Sequence, residues 1–97
     1  DINLDTFTLW TDVLQYLGEF ETAIEILLEA SNVLPDEYEI EYRLAGLYFL
    51  MDDVTKGNLH LINGMKLEPK HLSLFQELFP VVWERTEVQK TIMKFKK

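Results

Sequence analysis

Gly18-Glu19-Phe20-Glu21-Thr22-Ala23-Ile24-Glu25-Ile26-Leu27-Leu28-Glu29-Ala30-Ser31-Asn32-Val33-Leu34-Pro35 decides how this chain is read. Glycine ends one helix, proline ends the next, and Ala23, Leu27 and Ala30 share one face between them at helical spacing. A shift of 34 residues lays this stretch on the one from Asp52 to Pro69. Ala23 then falls on Gly57, Leu27 on Leu61, Ala30 on Gly64 and Val33 on Leu67. Upstream, Trp10 falls on Leu44 and Leu14 on Tyr48. Small residues meet small ones and large apolar residues meet large apolar ones. A 34-residue period belongs to helix-turn-helix repeats. Each such unit leaves an apolar face that only a neighbouring unit can cover. The expected fold class is therefore all-α, an α-solenoid of antiparallel helix pairs.

The composition suits one small domain. The chain has 97 residues, 47% of them hydrophobic and 12% aromatic, enough for a core, though a thin one at this size. There is no cysteine, which excludes a disulfide framework and a thiolate metal site and fits a reducing, cytoplasmic location. No apolar run approaches the roughly 20 residues of a membrane helix, and no signal peptide is visible. The chain opens at Asp1-Ile2-Asn3-Leu4-Asp5, without Met and already at the start of a helix, so a longer parent protein is expected.

Charge is distributed unevenly. Up to Asp53 there are 13 acidic residues against Arg43 alone (−12); from Val54 onward four acidic residues face eight basic ones (+4), giving the net −8. The acidic half argues against nucleic acid, whose binding rests on phosphate neutralisation by Lys and Arg. Lys90, Lys94, Lys96 and Lys97 read as the solvated end of a last helix, where cations suit the macrodipole.

Along the chain, a first helix is expected over 5–17, capped by Asp5 or Thr6, with Phe7, Trp10, Thr11 and Leu14 on its core stripe. A second runs over 21–33; its Glu21, Glu25 and Glu29 repel at i, i+4 spacing, so packing must hold it. A third follows Leu34-Pro35 and runs to about Met51, with Leu44, Ala45 and Tyr48 inward. The fourth, over 54–67, carries Gly57 and Gly64, a cost of about 2 kcal/mol against alanine that close approach of a neighbour must offset. A fifth spans 71–78. Pro80 opens a short turn of helix through Trp83, and Thr86 caps a last helix over 87–95, making about six helices in all.

These residues resemble the tetratricopeptide repeat, whose signature is an opening aromatic, Leu-Gly, Tyr, then Ala, Phe and Pro. Residues 4–37 match it with Phe7, Trp10-Thr11, Leu14, Gly18, Phe20, Ala23, Leu27, Ala30 and Pro35. Residues 38–71 match it with Leu44-Ala45, Tyr48, Asp52, Val54, Gly57, Leu61, Gly64 and Pro69, and depart at Glu41, where an aromatic is due. Residues 72–97 read as a degenerate third unit that closes the stack. The ending Leu78-Phe79-Pro80 plus a short helix also looks like the C-terminus of bacterial proteins of this type.

The resemblance implies a right-handed superhelix with a concave groove that receives a peptide or protein segment. It places Asp5, Thr8, Asp12, Gln15 and Tyr16 in that groove from the first unit. From the second it places Glu39, Tyr42, Gly46, Phe49 and Leu50. Carboxylates beside aromatics suit a basic peptide with an apolar anchor. The competing reading has Tyr42, Phe49 and Leu50 packed under the closing helix, in a structural end-piece that binds nothing itself. Arg43 is the single cation on these helices, too few donors to grip a peptide carboxylate.

His60 and His71, 11 apart, lack the clustering of a metal site, and Asp52-Asp53 lacks further oxygen ligands for calcium. Neither a cysteine nucleophile nor a phosphate loop is present, so no enzyme activity, small-molecule substrate, metal or cofactor is expected. Leu72, Phe75, Phe79, Val82 and Trp83 read as a cap on the second unit, or else as a patch for weak self-association.

Overall fold

Asn3, rather than Asp5 or Thr6, caps the first helix. Its backbone is extended (φ −134°), and its side-chain oxygen accepts the Thr6 N–H at 2.9 Å, so the helix starts one residue earlier than the sequence pattern suggested. The computed structural model describes residues 3–96; Asp1 and Ile2 of the expected helix start, and Lys97 of the basic end, lie outside them. The described chain is all-α, 84% helix with no strand. Seven α-helices follow in order: α1 Leu4–Tyr16, α2 Phe20–Val33, α3 Tyr38–Leu50, α4 Val54–Leu67, α5 Leu72–Leu78, α6 Pro80–Trp83 and α7 Thr86–Lys96. A 3-10 turn, Pro69–His71, leads directly into α5.

The 34-residue period recurs in backbone hydrogen bonding. Glu19 N–H donates to Leu14 C=O at 2.8 Å, and Asp53 N–H to Tyr48 C=O at 2.9 Å. Gly18 bonds Gln15, and Asp52 bonds Phe49, at 3.0 and 2.9 Å. Leu34 closes α2 on Ala30 as Glu68 closes α4 on Gly64. The turns from α1 to α2 and from α3 to α4 both pass through the left-handed region, at Gly18 (φ 80°) and Asp52 (φ 61°). Glycine takes that conformation freely; aspartate is strained in it. Asp52→Gly is therefore expected to stabilise the protein by about 0.5–1 kcal/mol, seen as a higher urea midpoint.

α3 is the central helix. Tyr42 to Phe49 are buried without interruption, and so is Ile40, as in a helix covered on every side. α4 covers one flank of α3, α2 another, and α5 with α6 a third; α7 packs on α4. Residues 72–96 therefore depart from the pattern before them. Against the helix pair that precedes it, α3 lies mainly on the second helix, α2, whereas α5 lies mainly on the first helix of the pair that precedes it, α3.

The core joins Ala23, Leu27, Leu44, Leu61, Phe75 and Val88. One expectation about it needs correction. Trp10 is 53% exposed, because α1 has its chief packing partners, α2 and α3, on its other sides.

The helix-four glycines have the reason expected of them. A Cβ on Gly64 would stand 2.7 Å from the Tyr42 ring, and one on Gly57 2.9 Å from the Phe49 ring. Both aromatics belong to α3, so the glycines let α4 close onto it. Gly64→Leu is expected to cost about 1–3 kcal/mol through overpacking. An unchanged melting temperature would mean that α4 does not press on Tyr42.

Candidate functional site

The candidate groove lies between α1 and α3, and the chain itself fills most of it. Tyr42 and Phe49 were expected on an open concave surface; both are wholly buried. Tyr42 lies between Gly64 of α4 and Phe75 of α5, and its hydroxyl donates to the Glu68 carbonyl at 2.9 Å. Gly46 forms the floor on which the Phe79 ring rests, and a Cβ there would overlap that ring. Phe75 in turn stacks obliquely with Phe79 and Trp83. The physical reason is where α5 and α6 come to rest: they settle over the stripe of α3 that was expected to stay open.

The polar groove residues are also engaged. Asp12 accepts two hydrogen bonds from Arg43, at 2.8 Å from Nε and 3.0 Å from Nη2. Arg43 is nearly buried, and a third nitrogen reaches the Glu39 carbonyl at 3.1 Å, with the Glu39 carboxylate 3.6 Å away. The lone cation of the acidic half thus links α1 to α3 and draws in two of the carboxylates expected to meet a basic peptide. Thr8 is buried, its hydroxyl donating to Asp5 C=O. Gln15 donates to Leu78 C=O at 3.2 Å, tying α1 to the end of α5. Asp5 is exposed, and Tyr16 is 89% exposed. Leu50 is half-buried and lines, with Gln15, Leu78, Phe79 and Val82, an apolar recess of about 180 Å³ at the groove's end.

A second polar cluster lies on the far side of α3. Glu41, out of pattern in the sequence, accepts from Asn63 at 2.9 Å and stands 3.1 Å from His60 Nδ1. His60 stacks on Tyr48 with ring centres 5.5 Å apart. Burial alone would raise the Glu41 carboxyl, but the bonds from His60 and Asn63 outweigh it and hold the group below its ordinary value. Glu41 therefore joins α3 to α4 where an aromatic was due. His71 stacks on Tyr38 at 4.8 Å. Among the described residues no His, Cys, Asp and Glu side chains gather in a group of three or more that could hold a metal, and no helix is long and apolar enough to cross a membrane.

Burial, helped by the nearby Glu68 charge, pushes the Tyr42 hydroxyl up to about 12 from 10.0. A raised folded-state value stabilises the fold below pH 10, and that stability is lost as pH climbs from 10 through 12. Melting temperature is thus expected to fall across that window, and Tyr42→Phe to flatten the fall. Tyr38 shifts the same way, mainly by desolvation, so a smaller decline should remain.

No family model, curated protein or solved structure matches this chain.

Proposed function

We propose that the chain is a non-enzymatic, tetratricopeptide-like module that closes a right-handed stack of helix pairs, with residues 4–37 and 38–71 as two units and 72–97 as the closing piece. One observation carries this reading. The stripe of α3 that an open repeat would offer to a peptide is occupied by Phe75, beside Tyr42, and by Phe79, over a glycine that leaves room for its ring. A groove so filled has little surface left for a ligand, while the same aromatics form a hydrophobic lid on α3. Support also comes from the turns that recur after 34 residues.

A second reading keeps the groove as a peptide site, reduced to its end. The recess beside Gln15 and Leu50 is apolar and has room for one side chain. A basic peptide with a single apolar anchor would suit it, given the acidic first half.

Titration of the full chain with a set of such peptides separates the two. The closing role expects no saturable binding. Binding that disappears in Leu50→Ala, while the melting temperature holds, would overturn it in favour of the peptide site.

A further inference from the structure

The outer face of α1 carries an exposed apolar stripe. Leu9, Trp10, Val13, Tyr16 and Leu17 are 70%, 53%, 49%, 89% and 64% exposed, and their spacing places them on one side of the helix. Scattered surface apolar residues need no explanation, but a contiguous stripe does.

The internal repeat indicates what such a stripe is shaped for. Thirty-four residues on, Thr6, Leu9, Trp10 and Val13 become Ile40, Arg43, Leu44 and Leu47. Those four are 1%, 6%, 0% and 1% exposed. Of the helix pair before α3, it is α2, with Ala23, Leu27 and Ala30 buried along it, that packs more closely on α3. Small residues on either side of a leucine let the two helices approach closely.

We propose that the outer face of α1 docks a helix pair of the α1–α2 kind, supplied by a protein partner, whose second helix presents a small–leucine–small ridge. This rests on the closing role proposed above. It adds which side of the module is open and what fits there. Leu9 stands where Arg43 stands in the second unit, so the partner meets an apolar surface there and needs no acid like Asp12 to face it.

Charge narrows the partner further. Through Val33 the chain has no Lys or Arg, while α1, α2 and the turn between them carry Asp5, Asp12, Glu19, Glu21, Glu25 and Glu29. A second copy docking face to face would oppose like charges. In the α2–α3 contact, Glu25 shares a recess with Asp53, whose counterpart in the first unit is Glu19. The partner's residue at the Glu25 position therefore faces Glu19, and a cation there is favoured.

The test fuses an extra copy of residues 3–36 directly before Asn3, which keeps the 34-residue spacing. The tether raises the effective concentration of the added pair. With Trp83→Phe throughout and Trp10→Phe in the added copy, the original Trp10 is the only indole. Docking is expected to shift its emission to the blue, remove most of its acrylamide quenching and raise the melting temperature. Glu25→Lys in the added copy should raise that temperature further, and Val13→Asp in the original copy should undo all three changes.

Trp10 as open to quencher in the fusion as in the 97-residue chain would overturn the proposal. So would sedimentation of the unfused chain as a dimer with Trp10 shielded, which would make a second copy the occupant. The closing role stands or falls on the peptide titration, whatever Trp10 reports.

Discussion

Phe49→Ala is expected to destabilise the protein by about 3–5 kcal/mol, the range for removing a wholly buried aromatic from a tight core. Phe49 rests on Gly57, so no side chain on that side can move in to fill the space. The cost should appear as a lower urea midpoint with an unchanged slope, as for a change in stability alone. The result bears directly on function. A residue whose task is to contact a ligand can be truncated with little loss of stability; a residue that joins α3 to α4 cannot. A drop below about 1 kcal/mol would mean that the Phe49 pocket is looser than the packing indicates, and would weaken the closing role.

The second large effect concerns Arg43 and Asp12, and it should be asymmetric. Asp12→Asn leaves a nearly buried guanidinium without its bidentate carboxylate, and Glu39 compensates only in part through its carbonyl and a carboxylate at 3.6 Å. A loss of about 3 kcal/mol is expected, the low end for breaking a buried pair from one side. Arg43→Met should cost less, about 1 kcal/mol, because Asp12 is 35% exposed and can rehydrate while the methionine retains most of the packing volume. Equal losses for the two variants, measured by denaturant titration, would show that packing dominates the site and the ion pair does not. The pair also explains why the acidic first half tolerates a charged residue in its core helix: the cation has a carboxylate from each neighbouring turn of structure to answer it.

Much of the helical layout is legible in local residue patterns. Gly18 and the Leu34-Pro35 step mark helix ends because each limits the backbone at its own position. Pro80 marks the break between α5 and α6 for the same reason, and α6 ends at Trp83 as the pattern indicates. The glycines of α4 announced a close neighbour, and α3 supplies it with Tyr42 and Phe49. Helix starts are less legible. Asn3 outcompetes Asp5 as a cap because capping depends on an extended backbone at that one residue, which composition does not reveal.

The candidate groove was legible as a stripe but not as a surface. Helical spacing puts Tyr42, Gly46 and Phe49 on one side of α3 without saying what lies opposite. The missed contacts all join residues distant in sequence: Arg43 with Asp12, Gln15 with the Leu78 carbonyl, Phe79 with Gly46. A single cation amid thirteen carboxylates was the one clue to the first of these. A lone charge in a strongly acidic segment has many partners to choose from, and only the approach of α1 to α3 selects Asp12.

What the residues determine by themselves is the period, and with it the helices, their turns and the small positions where they touch, because these depend on spacing along a few turns of one chain. Tertiary structure alone decided what covers the last side of α3. Phe79 lies 33 residues beyond Gly46, and nothing periodic links them. Its ring reaches that glycine because α5 rests on α3, and burial of apolar surface depends on where whole helices come to rest.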